Sequence, residues 1–371
     1  MIGVIGATGS VGSAAVAHLH RLGVGPLRIG ARRTAPLEKM AADFPAETVV
    51  VDARDPAALA TFCADCAVVL NCAGPTYELE DTVAAAALAA GAHCVDVAGD
   101  DPVHEALAHR DLRGRTVVLS AGTLPGLSSL LPRWLAATEL DRADALSAWV
   151  GGVEHCSPVV AVDMMLSLRT GGAGGQAYGE PNAAWRGGTV RSRALRPAED
   201  VTVPMFPGPV AVQPFLSAET RRLAATLALG TVDWFNVYPG PAVRAVLAAL
   251  PAAAREGVEQ GRLAARMIRA AEVDLAGRRP YYQMVFTLRG TRRDVPAEVT
   301  AVLRTPSSYR LTGLVGALAT AAVLAGTVPR GVHYAADVLD PAAVVAALRA
   351  SGELTLLTVT AAGDQDEEGS L

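Results

Sequence analysis

The residues whose spacing speaks most directly to chemistry stand at the start of the chain. Gly6-Ala7-Thr8-Gly9-Ser10-Val11-Gly12 follows the apolar run Met1–Ile5 and leads into a helical stretch from Ser13 to Leu22. A strand, a glycine-rich turn and a helix in that order cradle a dinucleotide pyrophosphate. Gly6 permits the tight turn, Gly9 lets backbone approach the phosphates, and Gly12 allows close helix–strand packing. Thr8, Ser10 and Val11 complete the turn, and the free N–H groups at the positive end of the helix face the anion. About 20 residues further on, a NAD site carries a carboxylate for the ribose 2′-hydroxyl. This chain carries Ala31-Arg32-Arg33 instead. Two guanidinium groups suit a 2′-phosphate, so NADPH is the expected cofactor. Asp52, closing the next apolar run, is the candidate for the adenine amine.

Two further apolar runs end in candidate contacts. Val69-Leu70-Asn71-Cys72-Ala73-Gly74-Pro75 places Asn71, Cys72, Ala73, Gly74 and Pro75 beside the cofactor, with Tyr77 in reach of the cleft. Val95-Asp96-Val97-Ala98-Gly99-Asp100-Asp101 adds Ala98 and Gly99 for the cofactor and Asp100 for the substrate. Carboxyl ends of strands face the ligand crevice in open α/β sheets. Asp96 reads equally well as a structural carboxylate, and Asp101 before Pro102 as a helix cap. Further along, Gly151-Gly152-Val153-Glu154-His155-Cys156 closes another apolar run. His155 is the first choice as proton donor because an imidazole titrates near neutrality. Tyr77 and Tyr178 are the alternatives, and Gly152, Glu154 and Trp234 are expected at the substrate. An aromatic such as Trp234 reads equally well as core.

Composition excludes several classes. The net charge of −5 does not suggest a nucleic-acid partner. Lys39 is the sole lysine, so the Tyr-x-x-x-Lys pair of short-chain dehydrogenases is absent. Leu311 to Pro329 contains several Gly and Thr residues and reads as a buried helix rather than a membrane span. The apolar run at Ile2 leaves no room for an export signal ahead of it. With an odd five cysteines, a cytoplasmic location is expected. Cys63-Ala-Asp-Cys66 stands alone and reads as buried thiols; no metal site is expected.

These side chains need elements to hold them. Strand-like runs at Ile2–Ile5, Leu27–Gly30, Thr48–Val51, Ala67–Asn71, His93–Val97 and Thr116–Ser120 alternate with helical runs such as Glu80–Ala90. This predicts an α/β fold: a Rossmann-type, doubly wound parallel sheet over residues 1–122. From 123 to 306 the runs at Ala145–Val153, Thr189–Arg193, Val210–Leu216, Thr231–Val237, Tyr281–Arg289 and Ala297–Leu303 predict an inserted α+β domain. It carries a mixed sheet, with helices at Val159–Leu168, Ala218–Leu227 and Pro241–Ala271, and it suits substrate binding and dimerisation. Gly171 to Gly188 reads as a long loop. Residues 307–362 should return to pack on the first domain, and the acidic tail 363–371 should be disordered.

Taken together, Gly6-x-x-Gly9-x-x-Gly12, Asn71–Pro75, Val95–Gly99, Ala121-Gly122-Thr123-Leu124-Pro125-Gly126 and Gly331-Val332-His333-Tyr334 resemble the saccharopine dehydrogenase (reductase)-like family. The resemblance implies a Rossmann domain, an inserted substrate domain, a C-terminal return and reduction of a C=N bond with NADPH. Leu124 stands where saccharopine reductases carry an acidic residue. The inserted region shows no arginine set for an amino-acid carboxylate beyond Arg169, Arg186 and Arg191. The implied analogue is therefore a stand-alone thiazolinyl imine reductase of the enantio-pyochelin siderophore type, acting on a carrier-bound intermediate as a homodimer. Two other readings remain: a semialdehyde dehydrogenase using Cys156, and a non-catalytic NADPH sensor or scaffold.

Overall fold

The computed structural model describes residues 1–169, 178–256 and 258–361. The expected tail at 363–371 lies outside these residues, as does 171–177 of the expected loop. From the amino end, β1 (Ile2–Ile5), α1 (Ser10–Arg21), β2 (Leu27–Ala31), α2 (Thr34–Asp43), β3 (Ala46–Val50) and α3 (Pro56–Cys63) alternate. They are followed by β4 (Val68–Asn71), α4 (Thr76–Leu79), α5 (Thr82–Ala89), β5 (His93–Asp96), α6 (Asp101–Ala108) and β6 (Thr116–Leu119). The helix expected over Glu80–Ala90 forms as α5, and the short α4 ahead of it ends before Glu80, which has a left-handed φ of 45°. Then come α7 (Leu127–Glu139), β7 (Arg142–Val153), α8 (Pro158–Arg169), β8 (Gly179–Pro181), β9 (Ala184–Arg186), β10 (Thr189–Arg191) and β11 (Ala198–Val201). After these lie β12 (Val210–Ser217), α9 (Ala218–Thr226), β13 (Thr231–Tyr238), α10 (Pro241–Arg255), α11 (Gln260–Leu275), β14 (Tyr281–Arg292) and β15 (Val295–Thr305). The chain closes with α12 (Ser308–Leu324), β16 (Gly331–Tyr334), α13 (Ala335–Val338), α14 (Pro341–Ala350) and β17 (Leu356–Ala361). The helix expected over Pro241–Ala271 is thus two helices, and the expected loop contains β8 and β9.

The chain divides into two compact units. The first comprises Met1–Ser128 with Ser308–Val344. Its seven strands run in the order β16-β6-β5-β4-β1-β2-β3, and every ladder is parallel. Parallel strands buried on both faces need continuous apolar runs, and β1, β4 and β6 are buried at every residue. On one face, Leu59 and Phe62 of α3, Val83 and Ala87 of α5 and Leu107 of α6 pack with Ile5, Val69 and Leu119. On the other lie α1 and α12, with Gly316 of α12 next to Leu70 of β4. Strand order reverses between β1 and β4, the switch point at which doubly wound sheets bind ligands.

Helix α12 backs the glycine turn. A Cβ on Gly313 would stand 2.6 Å from the Ala15 backbone nitrogen and 2.8 Å from the Val11 carbonyl. Only a residue without a side chain lets the two helices approach this closely. Gly313→Leu is expected to push α12 off α1, destabilise the protein by about 1–3 kcal/mol and weaken NADPH binding. Thermal melting and a cofactor titration check this; unchanged values in both would show that the contact yields without consequence.

The second unit comprises Ser129–Ser307 and the chain from Val345 onward. Its ten-stranded mixed sheet contains the path β10-β9-β13-β7-β14-β15-β17, with β12 also on β13. β13 and β7 are parallel, whereas β14 runs antiparallel to both β7 and β15. β17 pairs with β15, from Val299↔Ala361 to Arg304↔Leu356. The return through the first unit therefore ends at Val344, where residues 307–362 were expected to pack there throughout. The open backbone edge of β15 supplies the pairing that draws β17 into the second sheet. Among the described residues no helix is long and apolar enough to cross a membrane, and no group of His, Cys, Asp and Glu is placed to hold a metal.

Candidate active site

In the first unit, the candidate cofactor residues gather at the carboxyl ends of β1, β2, β4 and β5. Gly6 has a φ of +73°, and its Gly9 neighbour caps α1 without any side-chain hydrogen bond. A Cβ on Gly12 would stand 2.2 Å from the Gly6 carbonyl, so any side chain here would displace the turn. Thr8 is half-buried and Ser10 and Val11 open the helix, whose first N–H groups are left for an external acceptor. The turn is tied to its surroundings by Ala7 N–H donating to Gly30 at 3.0 Å and Cys72 N–H donating to Ile5 at 3.0 Å.

Arg32 and Arg33 are exposed at the end of β2, and neither side chain has a partner among the described residues. Two solvated guanidinium groups beside the turn fit a phosphate dianion. Asp52 accepts a hydrogen bond from the Arg54 N–H at 3.0 Å and so shapes the loop after β3.

A buried polar contact lies between β4 and β5. Asn71 and Asp96 are 3% and 4% exposed. The Asn71 amide donates to Asp96 Oδ2 at 2.8 Å, and its Oδ1 accepts from the Ala73 N–H at 3.0 Å. Asp96 Oδ1 accepts from the Ala98 N–H at 2.8 Å. Burial pushes the Asp96 carboxyl up to about 6, against the lowering effect of these two hydrogen bonds. The pair thereby clamps two loops, Cys72-Ala73-Gly74-Pro75 and Val97-Ala98-Gly99. Ser120 extends the clamp, its hydroxyl donating to the Gly99 carbonyl at 2.7 Å.

Several neighbours have structural duties. Asp100 is the N-cap of α6, accepting from the Asp101 N–H at 3.0 Å, a place expected for Asp101. Asp101 instead accepts from the Tyr334 hydroxyl at 2.7 Å, and the Tyr334 ring stacks on His104 at 5.0 Å. In the sequence this trio is signalled only by the Gly331-Val332-His333-Tyr334 string. Tyr77 is half-buried on α4. Burial pushes the Cys72 thiol up, as befits a packed side chain. Cys63 is likewise raised, to about 12, and all five cysteines are free.

In the second unit, β7 brings Gly152, Glu154 and His155 to one end of the sheet. His155 Nδ1 lies 2.8 Å from Glu272 Oε1 on α11, with both side chains more than half exposed. Cys156 donates to the Ser157 carbonyl, and burial pushes its thiol up to about 11. No Cys156–His155 pair is formed, since the ring faces Glu272. Tyr178 precedes β8, and its carbonyl accepts from Ala218 N–H at 3.0 Å. Trp234 corrects an expectation: it is 3% exposed and packs on Phe286 at 5.9 Å, inside the core rather than at a pocket wall. Arg186 is occupied by Asp233 at 2.6 Å, Arg191 is exposed, and the Arg169 side chain lies outside the described residues.

Residues 2–118 match the family model described as the saccharopine dehydrogenase NADP binding domain. Over 98% of this chain and 99% of the other, the fold resembles the apo saccharopine dehydrogenase (L-Glu forming) of Saccharomyces cerevisiae, with a TM-score of 0.67 and 14% identity. A probable dehydrogenase of Thermotoga maritima aligns over 95% of this chain and 96% of its own, at 11% identity and a TM-score of 0.48. The triphenylmethane reductase of Citrobacter sp., solved with NADP(H), aligns over 45% of this chain and 65% of its own, at 21% identity and a TM-score of 0.29. The glycine turn lies inside the stretch, residues 2–118, that matches the saccharopine dehydrogenase NADP binding domain, and NADP(H) is the cofactor.

Proposed function

We propose that the protein is an NADPH-dependent oxidoreductase that reduces a C=N bond. The proposed substrate is a thiazolinyl imine on a carrier-bound siderophore or other secondary-metabolite intermediate. The observation that carries the reading is a saccharopine dehydrogenase-type NADP domain in a chain whose fold resembles, along its full length, a protein named saccharopine dehydrogenase. Leu124, 43% exposed in the Thr123-Leu124-Pro125-Gly126 turn, argues for a substrate other than an amino acid at that position. A homodimer in the cytoplasm and a carrier-protein partner belong to the same proposal.

The bound cofactor supplies the hydride. In this reading the chain's own residues do the remaining work. Gly6, Gly9 and Gly12 admit the pyrophosphate, and Arg32 with Arg33 holds the 2′-phosphate. Asn71 and Asp96 position the loops beside the reacting ring. His155, oriented by Glu272, delivers a proton to the nitrogen; Tyr77 and Tyr178 are the alternative donors. Glu154 and Gly152 are assigned to the substrate, whereas the N-cap duty of Asp100 accounts for that residue without one.

His155→Ala is expected to lower kcat by about 100- to 10,000-fold while leaving NADPH affinity unchanged. NADPH oxidation with a panel of thiazoline thioesters and simpler cyclic imines measures this. Full turnover in the variant would move the proton to another donor, and no turnover with any imine by the unmodified protein would overturn the reductase reading. A semialdehyde dehydrogenase would form an acyl-enzyme at Cys156. The raised thiol and the orientation of His155 toward Glu272 both disfavour it, and Cys156→Ala is expected to leave turnover within about two-fold of the unmodified protein.

A further inference from the structure

The second unit holds a cluster of hydrogen-bond donors that lacks acceptors. β14 and β15 pair so that Gln283 stands opposite Arg304. Side chains alternate along a strand, so Tyr281, Gln283 and Val285 share a face. That face packs with Val203, Phe206, Val237 and Val302. Arg304 Nε donates to Gln283 Oε1 at 2.6 Å, and its second nitrogen donates to the Met205 carbonyl at 2.6 Å. The same guanidinium lies 5.6 Å from the centre of the Tyr281 ring, which meets Phe206 edge-on at 6.5 Å.

Gln283 has 0% exposure. Because its Oε1 accepts from Arg304, turning the amide over would set two donors against each other, so the orientation is determined. Its Nε2 then has no acceptor among the described residues, and neither has the buried Tyr281 hydroxyl. Arg304 donates to an amide oxygen and a backbone carbonyl, and no carboxylate lies within ion-pair distance of it among the described residues. Burial raises the Tyr281 phenol, while Arg304 and Arg278 both pull it down, a sign of net positive potential at the hydroxyl.

A guanidinium without a counter-ion and two buried donors without acceptors require an external acceptor, preferably an anion. We propose that Arg304, Gln283 and Tyr281 form a binding site for a small organic carboxylate beneath residues 203–206. The two carboxylate oxygens match the paired neutral donors beside one cation, whereas a phosphate dianion would bring more oxygens and more charge than these groups can satisfy. The site does not depend on the reductase reading, because it is built wholly within the second unit.

The test uses the full chain with sodium acetate and sodium glutarate, against sodium chloride and sodium phosphate at matched ionic strength. Thermal melting and calorimetry are read for the unmodified protein, Tyr281→Phe and Gln283→Leu. The carboxylates are expected to raise Tm in a dose-dependent way where chloride and phosphate do not, and each variant to weaken carboxylate binding about ten-fold or more. NADPH affinity, measured in the same samples, should be unaffected, which separates this site from the cofactor site. If Gln283→Leu fails to fold, Tyr281→Phe and Arg304→Lys carry the comparison. No response to carboxylate would mean that an internal water alone satisfies the donors. A phosphate response in its place, or variants that bind as well as the unmodified protein, would equally overturn the assignment.

Discussion

Replacing Arg32 and Arg33 together by alanine is expected to raise the Kd for NADPH about 100-fold while leaving that for NADH unchanged. Charge-assisted hydrogen bonds contribute roughly 1.5–3 kcal/mol each. Both guanidinium groups are exposed, so solvent screening puts their sum nearer the lower end, about 3 kcal/mol. They have no protein partner to lose among the described residues. The fold should therefore be indifferent to the change, and thermal stability should stay within about 0.5 kcal/mol. Fluorescence titration with both cofactors is decisive. An equal loss for NADPH and NADH would mean that the arginines act on the pyrophosphate or the fold; no loss for NADPH would remove them from the 2′-phosphate altogether.

The second large effect concerns the buried clamp between β4 and β5. Asp96→Leu would leave the Asn71 amide and the Ala98 N–H without acceptors. It is expected to cost about 2–5 kcal/mol of stability and to weaken NADPH binding by loosening both loops. Asp96→Asn alone sets an amide donor against the Asn71 amide, and turning Asn71 over would move the conflict to Ala73. The paired exchange Asn71→Asp with Asp96→Asn restores all three hydrogen bonds and should recover most of the loss. A double variant no better than the single one would show that the charge must sit at position 96.

Asp96 also sets a pH dependence with a definite sign. Its carboxyl is raised from 3.8 to about 6 in the folded protein. Between those values the folded state keeps a proton that the unfolded chain has released. The contribution of Asp96 to stability is therefore greatest below about pH 4, falls by on the order of 3 kcal/mol as pH rises to about 6, and is flat above. Denaturant melts of the unmodified protein and of Asp96→Asn across this window isolate the slope, which should be absent from the variant.

Much of the first unit was legible in the residues. The glycine turn and the apolar runs act through local sterics and hydrophobic period, both of which are written in consecutive positions. That Asn71 would reach Asp96 was not legible: they are 25 residues apart and each reads as an ordinary polar end of a strand. Trp234 misled for a related reason. Period-two alternation places it on a face of β13, but cannot say that Phe286 of β14 lies over it.

The sequence by itself determined an α/β chain that binds a dinucleotide at its amino end, because a turn that excludes side chains is a local property of its glycines. Only the tertiary structure decided that α12 backs that turn, that β17 belongs to the second sheet, and that Arg304, Gln283 and Tyr281 gather donors without acceptors. Such outcomes follow from which surfaces meet and which polar groups burial leaves unmatched. Those are properties of the packed molecule, and no window along the chain contains them.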